Sequence, residues 1–297
     1  MSEVKRVTTE TLRKKKTAGE KIAMITAYDF PGAKMADEAG ADVILVGDSL
    51  AMAVLGYDST LPVTMEEMLH HTRAVSRGTR RALVVGDMPF LSYQVNADEA
   101  VRNAGRFLQE AGAAAVKLEG GREVAGTVAR LVKTGIPVMG HLGLTPQSVQ
   151  QIGGYTLQAK GAKTALLLLD DAQALADAGA FAIVLEKIPI EVAAEVTARA
   201  PVATIGIGSG PACDGQVLVF HDLLGMYDGF KAKFVKQYAQ IGAAIREAIG
   251  RYVLEVYQGN YPEEEHAWHM ERDELEAFRA GLQDEVELKS GSSQGDR

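Results

Sequence analysis

Four carboxylates in this chain stand at the ends of short apolar runs. Asp42-Val-Ile-Leu-Val-Gly-Asp-Ser-Leu50 opens with a β-branched stretch too short for a helix, which reads as a strand buried on both faces. It stops at Gly47-Asp48-Ser49, where a carboxylate and a hydroxyl emerge together. Ala82-Leu-Val-Val-Gly-Asp87, Ala114-Ala-Val-Lys-Leu-Glu119 and Phe181-Ala-Ile-Val-Leu-Glu186 repeat the pattern. In parallel α/β architectures the C-terminal strand ends are where ligands bind. Asp48, Asp87 and Glu119 come from successive repeats, and acids brought that close repel unless a proton, a cation or a base joins them. Oxygen donors without cysteine select a hard ion, Mg²⁺ first, with water and substrate oxygens completing its shell. The alternative use of each acid is to cap the next helix or to pair with Lys or Arg.

Lys117 lies two residues before Glu119, so within one strand both project to the same side. A lysine inside a closed sheet needs a charged partner, and a substrate carboxylate or enolate oxygen is one. Ser49 offers a hydroxyl and an N–H to the same ligand. His141 ends a further run, Pro137-Val-Met-Gly-His141, as a base, a donor, a ligand or a structural residue. Glu186 stands apart in sequence from the other three acids. A carboxylate so placed suits proton abstraction beside a carbonyl polarised by a metal; its other use is a salt bridge with Lys187 or a neighbour.

The scaffold around these residues is that of a globular protein. The chain has 297 residues, 47% hydrophobic and 24% charged, enough for a sizeable core. No apolar window is long enough to span a membrane, and residues 1–17 lack the apolar segment of a secretory signal, so a cytoplasmic setting is expected. One cysteine, Cys213, excludes a disulfide framework and a thiolate-rich zinc site, and reads as an incidental loop thiol. A net charge of −8 argues against a nucleic-acid partner. Lys14-Lys15-Lys16 reads as a solvated helix end.

In order, a short helix capped by Thr8 or Thr9 precedes a strand over 21–27. A helix over 31–38 then stops at Ala39-Gly40-Ala41. Ala111-Gly112-Ala113 and Ala178-Gly179-Ala180 repeat that stop before the strands that end in Glu119 and Glu186. Further helices are predicted over 65–77, from Asn96 or Asp98 to 110, and over 123–134, 164–178 and 191–199, with strands over 202–206 and 216–220. Residues 50–64 form a long loop and a lid candidate, and the polar segment 145–160 is expected to fold over one rim. Eight strands alternating with helices predict a closed (β/α)₈ TIM barrel. A doubly wound sheet is the runner-up but lacks a G-x-G-x-x-G after the first strand. Gly206-Ile-Gly208-Ser-Gly210 is either a phosphate cradle or a tight turn. A helical pattern over 230–257, with a break at Gly242 or Gly250, forms a C-terminal helical extension. The expected organisation is one barrel domain over 1–265 and an acidic, partly disordered tail over 266–297. An exposed helix over 271–282 is expected in that tail, and disorder over 290–297.

The motifs, in order, resemble the ketopantoate hydroxymethyltransferase family. Those that carry the resemblance are Ile25-Thr-Ala-Tyr-Asp29, Val46-Gly-Asp-Ser49, Gly56-Tyr-Asp-Ser-Thr-Leu-Pro-Val-Thr64, Gly86-Asp-Met-Pro-Phe90, Val116-Lys-Leu-Glu-Gly-Gly121, Gly140-His-Leu-Gly-Leu-Thr-Pro-Gln147, Ile205-Gly-Ile-Gly-Ser-Gly210, Asp214-Gly-Gln216 and His221-Asp-Leu-Leu-Gly225. They span about residues 5–266; Ala51 and Met88 are mild departures. The resemblance implies a barrel enzyme of pantothenate synthesis that moves a hydroxymethyl group from 5,10-methylenetetrahydrofolate to 3-methyl-2-oxobutanoate. It implies Mg²⁺ on Asp48 and Asp87, with Glu119 ligating directly or through water. Asp48, Ser49, Asp87 and Lys117 would hold the keto acid, Glu186 would accept the proton, and the chains would assemble as homodecamers. Two other classes remain: an Mg²⁺-dependent lyase or aldolase of the pyruvate-handling barrels without folate, and a non-catalytic barrel.

Overall fold

Helix α1 (Thr9–Ala18) is capped at Thr8, whose hydroxyl accepts from the Thr11 N–H. The computed structural model describes residues 5–227 and 231–291, with side-chain environments given to residue 283. After α1 the chain runs β1 (Ile22–Thr26), α2 (Phe30–Glu38), β2 (Val43–Val46), the one-turn α3 (Leu50–Ala53), α4 (Met65–Gly78), β3 (Leu83–Asp87), α5 (Ala97–Gln109) and β4 (Ala115–Lys117). It continues through α6 (Ala125–Lys133), β5 (Val138–Gly143), the short α7 (Val149–Ile152), α8 (Ala162–Asp177), β6 (Ala182–Glu186), α9 (Ile190–Arg199), β7 (Ala203–Ile207), β8 (Gly215–Leu218) and α10 (Phe220–Leu224). The eight strands pair in sequence order, all parallel, and β8 closes on β1. The predicted (β/α)₈ barrel is the architecture observed.

Alternation along each strand divides the apolar residues into two cores. Val43, Leu45, Leu83, Val85, Met139, Val184 and Ile205 fill the barrel, and Val7 and Leu12 from the N-terminal segment pack with them. Their neighbours Ile44, Val46, Val84, Val116 and Ile183 face the surrounding helices. The repeated glycine stops take the left-handed conformation, with φ of 92° at Gly40, 73° at Gly112 and 95° at Gly179.

The lysine run is not a solvated end throughout. Lys15 and Lys16 pair with Asp42 and Asp214 at 2.7 and 2.8 Å, tying α1 to the barrel floor, while Lys14 stays exposed. Cys213 does lie in a loop, between β7 and β8, but it is fully buried and packs with the helix-facing core.

Three boundaries moved. Glu119 lies beyond β4 rather than within it, and the last strand stops at Leu218, with Phe220 opening α10 instead. The helix expected over 230–257 is instead α11 (Ile241–Gln258), and residues 231–240 are irregular; Phe230 lies outside the described residues. Tertiary contacts override the three- and four-residue spacing there. Val235 is buried, and the Tyr238 N–H donates to the Leu223 carbonyl at 2.8 Å. Gly242 and Gly250 sit inside α11 without ending it.

The chain divides into two units, Met1–Ile241 and Gly242–Arg297. The second contains most of α11 and also α12 (Arg272–Gly291), which starts one residue after the predicted tail helix and runs past it to Gly291, so Ser290 and Gly291 are helical where disorder was expected; residues 292–297 lie outside the described residues. Among the described residues no helix is long and apolar enough to cross a membrane.

Candidate active site

The alternation that fills the barrel also delivers its polar end. Leu83, Val85 and Asp87 share one face of β3, Ala115 and Lys117 one face of β4, Met139 and His141 one face of β5, and Ala182, Val184 and Glu186 one face of β6. The apolar members pack inside the barrel, so their polar partners emerge at its C-terminal mouth. Asp48 arrives differently, on the turn after β2, where its carbonyl accepts from the Ala51 N–H at the start of α3. Asp48, Ser49, Asp87, Lys117, His141 and Glu186 line one cavity of ≈ 570 Å³. Glu119 is buried one layer back and reaches the others through His141 and Gln147.

The cluster is tightly paired. Register places Lys117 beside Asp87, and Lys117 Nζ lies 2.9 Å from Asp87 Oδ1. Asp87 Oδ2 accepts from the Asp48 N–H at 3.0 Å, linking the ends of β2 and β3. His141 Nδ1 stands 3.0 Å from Lys117 Nζ and 3.4 Å from Glu119 Oε1, and its Nε2 stands 3.2 Å from Glu186 Oε2. The Ser49 hydroxyl bonds the Tyr28 hydroxyl at 2.8 Å.

These contacts set the protonation of the site. Burial, then the charges of Asp87 and Glu119, push the Asp48 carboxyl well above the usual range. Burial also raises Asp87, with Lys117 opposing it. Burial works against ionising Glu119, but His141, Lys117 and the Gln147 N–H outweigh it and hold its pKa low. Burial would discharge Lys117, yet Asp87, Glu119 and Asp48 hold it protonated with a raised pKa. For His141, burial and the Lys117 charge favour the neutral ring; Glu119 and Glu186 prevail and raise its pKa to about 9.

Gln147 is the member that sequence reasoning missed. It lay in the polar segment assigned to the rim, whereas the structure buries it. Its Nε2 donates to Asp48 Oδ2 and to the Met88 carbonyl, each at 3.0 Å, and its N–H donates to Glu119 Oε2 at 3.0 Å. The Tyr93 hydroxyl donates to Gln147 Oε1 at 2.8 Å. One residue thus holds two acids, Asp48 through its side-chain amide and Glu119 through its backbone N–H. Its place in the Gly140–Gln147 motif was the available signal; for Tyr93 there was none.

The loop after β2 is not one open lid, since it begins with α3 and supplies Met52, Ala53 and Thr60 to the cavity wall. Segment 145–160 does reach the mouth, through Pro146 and Tyr155. The Gly206–Gly210 loop is a tight turn packed with apolar groups. A Cβ at Gly208 would stand 2.7 Å from the Phe234 ring and one at Gly210 2.4 Å from Ile190, and both glycines take positive φ, as the tight-turn alternative requires.

A family model described as ketopantoate hydroxymethyltransferase matches residues 6–264. The 3-methyl-2-oxobutanoate hydroxymethyltransferase of Carboxydothermus hydrogenoformans is 63% identical over 271 residues, covering 91% of this chain and 98% of the relative. The protein of the same name from Syntrophobacter fumaroxidans is 61% identical, covering 89% and 93%. Among solved structures, a phosphoenolpyruvate phosphomutase from Streptomyces platensis superposes with a TM-score of 0.56 at 18% identity, over 97% of this chain and 99% of that one. A phosphonopyruvate hydrolase in complex with oxalate and Mg²⁺ gives 0.55 at 16%, over 97% and 98%. These two likenesses show the fold alone. The family match over nearly the whole barrel and the relatives at more than 60% identity lead to one conclusion: this chain belongs to the ketopantoate hydroxymethyltransferase family.

Proposed function

We propose that this protein transfers a hydroxymethyl group from 5,10-methylenetetrahydrofolate to 3-methyl-2-oxobutanoate, giving 2-dehydropantoate for pantothenate and coenzyme A synthesis. Beside the family membership, one observation carries this reading. Four carboxylates meet two bases, Lys117 and His141, at the mouth of a barrel with an apolar-walled cavity.

That leaves two carboxylates in excess, the charge a divalent cation neutralises. Asp87 Oδ1 and Glu119 Oε1 are buried without an aligned hydrogen bond. Among the described residues no three His, Cys, Asp or Glu side chains form a ready-made cage. Mg²⁺ does not need one, because it takes one or two carboxylates and completes its shell with water and substrate oxygens. The residues present fit that ion: Asp48 and Asp87 would hold it, with Glu119 acting directly or through water. Bound there, Mg²⁺ would polarise the keto acid oxygens and make the C3–H acidic.

The chain's own residues do the rest. Lys117, held protonated, sits to receive the negative charge that develops on the keto acid oxygen. Ser49 offers its hydroxyl to the substrate carboxylate. Glu186 accepts the C3 proton, and His141 beside it orients the carboxylate. C3 then bonds to the donor's methylene carbon, whose two bonds to nitrogen break; water supplies the hydroxyl, and its proton together with the one taken by Glu186 goes to the two nitrogens of the departing tetrahydrofolate.

The test is an anaerobic assay with Mg²⁺ that follows both products. Tetrahydrofolate and 2-dehydropantoate should appear in equal amounts. Keto acid cleavage without tetrahydrofolate formation would hand the site to the folate-free lyases.

Gln147→Leu should weaken Mg²⁺ binding and activity by roughly 10–100-fold, as loss of a residue orienting the ligands typically does. Unchanged Mg²⁺ affinity by calorimetry would reduce Gln147 to a packing role.

The assembly is a homo-oligomer, decameric as the resemblance implies. In support, α11 carries exposed Ile245, Ile249, Tyr252 and Val253. The matched stretch is the catalytic domain and the acidic residues from 266 an appendage. The setting is cytoplasmic, as its soluble reactants require.

A further inference from the structure

A keto acid of eight heavy atoms needs only the acidic floor of the cavity, and pockets of ~300–1,000 Å³ take ligands of drug size. The remaining wall is apolar, formed among others by Met52, Leu144, Tyr155, Tyr227 and Phe234. Outside the acid cluster, the one carboxylate on the wall is Asp222, carried by α10 just after β8. Among the described residues no hydrogen bond or ion pair reaches it. Lys187, the other charged group on the wall, is engaged with the Tyr155 carbonyl. The preceding His221 is stacked on Tyr227, ring centroids 5.5 Å apart and planes at 16°, and its centroid lies 5.5 Å from that of Tyr28. Burial with nothing to offset it raises the Asp222 pKa.

A half-buried carboxylate without donors costs stability. Its place in the first turn of α10 gives it only a weak dipole partner in a five-residue helix. A ligand that brings donors removes that cost. The one-carbon donor of the proposed reaction has a flat tetrahydropterin ring for the apolar wall. The ring's pyrimidine edge presents N3–H and a 2-amino group side by side, a two-donor fork that a carboxylate accepts in bidentate fashion.

We propose that Asp222 is the residue that selects the folate donor, accepting N3–H and the 2-amino group of the pterin while the ring lies against the apolar wall near Tyr227 and Phe234. The assignment rests on the folate-dependent reading above, and the test separates the two.

Tetrahydrofolate is titrated anaerobically into the full-length protein with Mg²⁺ and keto acid, by calorimetry. The same is done with the analogue in which a methyl group replaces the 2-amino group, and with Asp222→Asn. A hydrogen bond to a charged group predicts roughly 10–100-fold weaker tetrahydrofolate binding by the variant. The analogue should lose a similar factor on the wild-type protein and little more on the variant, with keto acid affinity unchanged. Wild-type tetrahydrofolate affinity in Asp222→Asn, or an analogue penalty undiminished there, overturns the assignment and leaves the reaction standing. If the variant loses the keto acid as well, the wild-type arm decides, and an analogue bound as tightly as tetrahydrofolate overturns it. A wild-type protein that does not bind tetrahydrofolate removes the proposed reaction and this inference together.

Discussion

Glu186→Gln is expected to lower turnover by ~10²–10⁴-fold, the usual worth of a positioned general base, while Mg²⁺ and 3-methyl-2-oxobutanoate still bind. Glutamine keeps the size of the side chain and a hydrogen-bonding atom near His141 Nε2, 3.2 Å from the native Oε2, but cannot take the C3 proton. The proposed ligands of metal and keto acid, Asp48, Ser49, Asp87, Lys117 and Glu119, are untouched. The decisive measurement is exchange of the C3 hydrogen in D₂O, followed by NMR without folate. The wild-type protein should exchange it and Glu186→Gln should not. Exchange at the wild-type rate in the variant would move the base elsewhere, with His141 next in line, because it stands at the same mouth and the substitution removes one of the two acids that hold it protonated.

Asp48→Ala and Asp87→Ala should each abolish Mg²⁺-dependent activity while the protein stays folded. A metal acting as a Lewis acid contributes several kcal/mol to the barrier, which at about 1.4 kcal/mol per tenfold is roughly 10²–10⁴-fold. The two variants differ in what they leave behind. Asp87→Ala strips Lys117 of its closest carboxylate, at 2.9 Å, and removes the acceptor of the Asp48 N–H. Asp48→Ala leaves the Lys117 pair intact and takes from the Gln147 amide one of its two acceptors, the Met88 carbonyl remaining. Mg²⁺ titration with circular dichroism on each variant, and EDTA treatment of the wild-type protein, supply the check. Full activity in either variant, or wild-type activity indifferent to EDTA, would sink the metal assignment.

How much of this was legible beforehand follows from the range of the interactions. The sequence by itself determined the barrel, because each repeat is local: a β-branched run, a helix and a glycine that can take positive φ, as at Gly40, Gly112 and Gly179. It also determined that Asp87, Lys117 and Glu186 point into one mouth, since a period of two fixes which side chains share a strand face with the buried Val85, Ala115 and Val184. What only the tertiary structure decided depends on residues far apart in the chain. Gln147 bonds Asp48 across 99 positions, and no pattern within the polar segment distinguishes a buried glutamine from a solvated one. The strand end at Lys117 was invisible for the same kind of reason, because Glu119 sits beyond β4 and is held by His141 and the Gln147 N–H rather than by the ladder. The spacing of Phe234 and Tyr238 imitated a helix, but burial of Val235 and the bond from Tyr238 to Leu223 hold residues 231–240 irregular. Periodicity records which face a residue prefers, and only the closed barrel decides what stands opposite it.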